Sequence, residues 1–125
     1  MIDFLLSRIH SFKHAFSGFS YVLKTQKNAW IHMVATISVI SLAIWLSTPP
    51  QEFAILILTI GIVWMAEFIN TSLEAVVDLA SPEKHPLAKV GKDVGAAAVL
   101  IAAISSIIIG LIILGPALMN KIGLM

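Results

Sequence analysis

Cysteine is absent from all 125 residues. That absence excludes a disulfide framework, a thiolate nucleophile and any cysteine-based metal site. Charge is scarce as well. Asp, Glu, Lys and Arg make up 12% of the chain and apolar residues 58%, against about 25% and 45–50% in a soluble domain. With a mean hydropathy of +0.96, this is the composition of an integral membrane protein. The first residues, Met1 to Leu6, lack the basic start and small-residue cleavage site of a signal peptide, so no removed export signal is expected. The length suits one domain, 1–125, rather than several. Net charge is only +1, and no nucleic-acid partner is expected.

Four segments are expected, all helical. Residues 1–28 read as amphipathic, with Leu5, Ile9, Phe12, Phe16, Phe19 and Leu23 on one face and Arg8, His10, Lys13, His14, Lys24 and Lys27 on the other. Such a helix suits the headgroup layer of an anionic membrane, or packing against the rest of its own chain. Gly18 is expected to loosen or break it. Spans are expected at 29–48, 52–79 and 92–114. Trp30 and Trp45 lie near the ends of the first, whose only ionisable residue is His32. Thr48-Pro49-Pro50-Gln51 separates the first two spans, Ser81 to Gly91 forms a polar connection, and Gly115-Pro116 is expected to end the third. Basic residues cluster before the first span and at Lys84, Lys89 and Lys92. The positive-inside rule therefore places the N-terminus and the second connection in the cytoplasm. Three spans enclose a polar stripe poorly, so a homo-oligomer is expected.

The chemistry concentrates between Ala66 and Asp93. Glu67 follows the uncharged run Phe53 to Ala66. On a helix turning about 100° per residue, Asn70, Glu74 and Asp78 fall within roughly 60° of it. One stripe of three carboxylates and a carboxamide thus starts at membrane depth and runs toward water. Ionisable groups at that depth normally face a cavity or protein interior and carry function. Hard oxygen donors beside Lys92 and Asp93 suit Mg²⁺ with a nucleotide, and a carboxylate withdrawn from water is a stronger base toward an alcohol.

The same pattern fits a small proton- or ion-coupled transporter or pore, in which the carboxylates relay ions. A structural membrane adaptor is a third reading. Gly91-Lys92 is no P-loop, because the earlier glycine and the following Ser or Thr are missing. His10 and His14 share a helix face without an acidic partner for zinc.

Ala66-Glu-Phe-Ile-Asn-Thr-Ser-Leu-Glu-Ala-Val-Val-Asp78, then Ser81-Pro-Glu-Lys-His-Pro-Leu-Ala-Lys89 and Lys92-Asp-Val-Gly-Ala-Ala-Ala-Val-Leu100, closely resemble the small prokaryotic diacylglycerol kinase family, which includes the undecaprenol kinases. The resemblance covers nearly the whole chain. It implies an ATP- and Mg²⁺-dependent kinase for a membrane lipid alcohol, built as a homotrimer of three-span protomers in the bacterial inner membrane, with active sites shared between subunits near the cytoplasmic face. By motif position Glu67 looks like the general base, Glu74 the metal ligand beside the nucleotide, and Asn70 a positioning group. Lys92 and Asp93 match the pair that binds nucleotide phosphate and organises the catalytic site. Asp78, Glu83 and His85 match positions near nucleotide. One departure is Gln26, which stands where the family often has a second metal-binding glutamate. A neutral amide is a weaker Mg²⁺ ligand, so Gln26 stays unassigned. The Ser81–Lys89 segment looks more like the undecaprenol kinase branch, with diacylglycerol the other acceptor.

Overall fold

A computed structural model describes residues 1–124, without the side chains of Ile2, Asp3 and Leu5. The Leu5 end of the expected apolar face therefore lies outside the described residues. The chain forms four helices, α1 (Ile2–Thr25), α2 (Lys27–Trp45), α3 (Pro50–Ala80) and α4 (Pro86–Lys121), with no strand among the described residues. The last three are each long and apolar enough to cross a membrane. At 1.5 Å per residue α2 is about 28 Å long, α3 about 46 Å and α4 about 54 Å. The hydrocarbon layer is about 30 Å thick. Only α2 matches it; α3 and α4 overrun.

The cross-helix contacts show where they overrun. Antiparallel α2 and α3 pair Gln26 with Glu74, His32 with Glu67 and Thr36 with Trp64. At the far end Ala43, Leu56 and Leu114 form one apolar cluster. Helix α4 lies along α3, bringing Gly91 to Val77 and Gly95 to Asn70. The start of α2 is therefore level with Glu74. The hairpin tip of α3 and α4 projects past it, carrying Asp78 and the 81–85 connection.

Proline sets most of the boundaries. Ser81 and His85 each precede a proline and leave the helical region (φ −137°, ψ 77° and φ −129°, ψ 136°), because a following pyrrolidine ring disfavours it. Pro50 and Pro86 then open α3 and α4 at the first helical position, where no amide hydrogen is needed. The second connection is shorter than expected, since α4 begins at Pro86 rather than after Gly91.

Two expected breaks do not occur. Helix α1 runs unbroken through Gly18. The neighbouring Phe19 ring stacks on Trp64 at 5.4 Å and lies 5.5 Å from Phe68, and this packing offsets the roughly 1 kcal/mol that a mid-helix glycine costs. Nor does Gly115-Pro116 end α4, for Pro116 sits inside the helix. A proline leaves one carbonyl a turn earlier unpaired, which membrane helices tolerate. The helix stops instead at Gly123 (φ +76°), whose amide and that of Leu124 close back onto Asn120 and Met119.

Helix α2 ends with the same double closure. Ser47 and Thr48 donate to the carbonyls of Ile44 and Ala43. Here the left-handed position is occupied by Ser47 (φ +53°), a conformation that costs a side-chain-bearing residue about 1 kcal/mol. Ser47→Gly is expected to stabilise the protein by about that amount, read as a higher thermal midpoint in detergent at unchanged activity.

Candidate active site

Glu67, Asn70, Glu74 and Asp78 lie along α3 in a gradient of burial. Glu67 is 1% exposed and Asn70 7%; Glu74 is half-buried and Asp78 open to solvent. Eleven residues of helix make this gradient about 16 Å long.

At its dry end, Glu67 Oε2 lies 3.5 Å from His32 Nε2, and neither atom has a hydrogen-bond partner. The imidazole meets the Trp64 ring edge-on at 6.2 Å, and the Trp64 indole donates to Thr36 Oγ1 at 3.0 Å. Below Glu67, Thr71 Oγ1 donates to its backbone carbonyl at 2.9 Å. This holds the helix and leaves the carboxylate free.

About two turns on, Glu74 accepts two hydrogen bonds. Gln26 Nε2 reaches one carboxylate oxygen and Asn70 Nδ2 the other, both at 3.0 Å. Gln26 can reach because it is the single extended residue (φ −103°, ψ 113°) between α1 and α2. Asn70 Oδ1 is buried without a partner and faces Gly95 of α4. Glycine is required there, since a Cβ at position 95 would overlap that oxygen and lie 3.2 Å from Leu73 Cδ2.

At the wet end, a cleft of about 640 Å³ opens between the two arms of the hairpin. Asp78, Glu83, Lys84, His85, Lys89 and Lys92 line it, a volume within the range of small-molecule sites. Lys92 of α4 pairs with Asp78 of α3. Asp78 is exposed and Lys92 half-buried, and such pairs at a protein surface contribute at most about 1 kcal/mol. His85 caps α4, its Nδ1 accepting from the Leu87 amide at 3.2 Å, and the Glu83 carbonyl accepts from Ser81 Oγ at 2.9 Å. Asp93 stands apart. Consecutive helix residues diverge by about 100°, so Asp93 turns from the cleft and pairs with Lys89 on its own helix.

The motif residues therefore occupy two joined places: Glu67, Asn70 and Glu74 in the buried half, and Asp78, Glu83, His85 and Lys92 around the cleft. Two further residues belong with the buried half. Gln26 meets Glu74, although sequence alone left it unassigned. His32 meets Glu67, and reasoning from the motif passed it over. Its signal was present, because a lone ionisable residue in an apolar span marks function by default.

Among the described residues no group of three His, Asp or Glu side chains forms a metal cage. The donors fit a cation that a bound phosphate completes. Glu74 offers a carboxylate, while the unpartnered Asn70 Oδ1 is turned to Gly95 of α4 and away from it. Gln26 brings an amide whose oxygen can be turned toward the same cation.

The profile of the prokaryotic diacylglycerol kinase family matches residues 13–114. This covers the whole site. The chain belongs to the prokaryotic diacylglycerol kinase family. It is 42% identical over 111 residues to a diacylglycerol kinase of Synechocystis, covering 88% of this chain and 63% of that protein. An undecaprenol kinase of Bacillus subtilis is 38% identical over 108 residues, 86% of this chain and 88% of its own length. A diacylglycerol kinase of Escherichia coli is 35% identical over 105 residues, 78% of this chain and 84% of its own length. Relatives named for either lipid thus share the family with this chain.

Proposed function

We propose that this chain phosphorylates a membrane lipid alcohol with Mg-ATP, undecaprenol being the preferred acceptor. Family membership supports the lipid kinase class. The observation that carries the rest is the carboxylate stripe, buried at Glu67 and ending in a lysine-lined cleft. A lipid alcohol keeps its chain in the apolar layer and its hydroxyl at Glu67. A nucleotide binds in water and sends its phosphates up the stripe toward Glu74.

Each residue then has a physical task. Lys92 exchanges the weak pair with Asp78 for a phosphate, joined at the cleft by Lys84 and Lys89. His85 and Glu83 shape the nucleotide end. Glu74, with Gln26 beside it, would hold Mg²⁺, which when bound neutralises phosphate charge and fixes the phosphates in line. Asn70 locks the Glu74 rotamer. Asp93, tied to Lys89, sets the lysine that faces the cleft. Glu67 removes the proton from the lipid hydroxyl as its oxygen bonds to the γ-phosphorus and ADP leaves. In this reading α1 lies in the headgroup layer, with Ile9, Phe12 and Phe16, all exposed in the chain itself, facing lipid or a neighbouring protomer. The N-terminus, the cleft and their basic residues face the cytoplasm. Protomers associate as a homotrimer that covers the apolar faces of α2 and α4.

Purified protein in mixed micelles, given ATP with undecaprenol or diacylglycerol and with or without Mg²⁺, is expected to form Mg²⁺-dependent phospholipid, faster with undecaprenol. Faster turnover of diacylglycerol would overturn the acceptor. No product with either, from protein shown to be folded, together with ion flux in liposomes, would restore the transporter reading.

A further inference from the structure

Glu67 has a neighbour that the steps above do not use. His32 comes from a different helix, and its side chain is 13% exposed, against 2% for that of Glu67. Both are ionisable, and the facing atoms, His32 Nε2 and Glu67 Oε2, are buried without another partner. Leaving two such atoms unmatched costs folding free energy that a single hydrogen bond between them recovers. Their 3.5 Å separation is a few tenths of an ångström beyond a formed N–H···O bond, and catalytic hydrogen bonds are often long until substrate binds. The ring is also braced. Trp64 meets it edge-on, and Trp64 is fixed by Thr36 and by the Phe19 stack from α1. Three helices thus converge to hold one imidazole against one carboxylate.

On its other side His32 borders a smaller cavity of about 170 Å³, walled chiefly by Ile31, Val39, Ile60, Val63 and Ile107. Most of that lining is apolar; its two hydroxyls belong to Ser106 and to Thr36, which already accepts from the Trp64 indole.

We propose that His32 is a positioning residue for Glu67. Its Nε2–H donates to Glu67 Oε2 and fixes the carboxylate, so that the other oxygen meets the lipid hydroxyl. The proton balance is simple. The hydroxyl proton passes to Glu67 Oε1 while the new oxygen–phosphorus bond forms and the bond to ADP breaks. The imidazole keeps its own proton throughout. A glutamate has three side-chain torsions, and a misaligned base loses rate steeply. The inference rests on the reading of Glu67 as the base.

The test compares His32→Leu, His32→Asn and His32→Gln by kcat on the lipid, KM for ATP and thermal midpoint. Glutamine carries an N–H donor about as far from the backbone as the imidazole Nε2, whereas asparagine stops short and leucine has none. The leucine and asparagine variants are expected to lose kcat by on the order of 10- to 100-fold, with KM for ATP and thermal midpoint held. Glutamine is expected to recover most of the loss. A leucine variant turning over normally, or a glutamine variant as slow as leucine, overturns the proposal. Should the leucine variant not fold, equal turnover of the asparagine and glutamine variants does the same. Glu67→Gln run in parallel separates the two readings. If it turns over, the base reading fails and this inference with it. If it is inactive while His32→Leu works normally, only the role of His32 fails.

Discussion

Glu67→Gln is expected to eliminate lipid phosphorylation while leaving a folded protein. General-base catalysis contributes about 10²- to 10⁴-fold, and glutamine keeps the volume of glutamate while offering no basic oxygen. The structure gives a reason to expect intact folding. Glu67 is buried, and among the described residues the polar atom facing its Oε2 is His32 Nε2 at 3.5 Å. Glutamine keeps a side-chain oxygen that can face the His32 ring, so no buried polar atom is stranded by the change. The thermal midpoint should therefore hold as kcat collapses, and ATP should still bind at the cleft some 16 Å along the helix. Turnover near that of the unmodified protein would end the assignment of Glu67 as base. Loss of folding would show that the carboxylate is a structural partner instead.

Gly95→Ala is expected to damage the site more than the fold. The added methyl would overlap Asn70 Oδ1 and press on Leu73 Cδ2 at 3.2 Å. The oxygen is the far end of a short side chain, so the helices need not part. Overpacking of this kind costs about 1–3 kcal/mol. Asn70, however, can move only by giving up its 3.0 Å bond to Glu74. Its carboxylate is then left with the bond from Gln26 alone. Turnover is expected to fall by on the order of 100-fold, with a higher Mg²⁺ requirement and a modest drop in thermal midpoint. Gly91→Ala provides the comparison, because a Cβ there meets Val77 at an ordinary 3.7 Å. Equal effects of the two substitutions would show that helix approach, rather than Asn70, is what matters.

These predictions draw on two kinds of information. The helical stripe from Glu67 to Asp78 was legible in the sequence because residues three and four apart share a helix face wherever that helix lies. The proline-set ends of α3 were legible for the same local reason, whereas the start of α4 at Pro86 was missed because the polar run to Gly91 was read as a connection. Gly18 and Pro116 misled because each was weighed by its local cost alone. The Phe19 stack on Trp64 offsets the first. An apolar surround, in which a helix cannot exchange its remaining hydrogen bonds for water, retains the second.

Sequence by itself determined that this chain is an apolar, cysteine-free membrane protein of the diacylglycerol kinase type, with its chemistry on one face of one helix. Tertiary structure decided which groups from other helices meet that face. The pairing of Gln26 with Glu74, of His32 with Glu67 and of Gly95 with Asn70 depends on how far α2 and α4 slide along α3. That register is set by side-chain packing summed over all three helices, and no local run of residues encodes it.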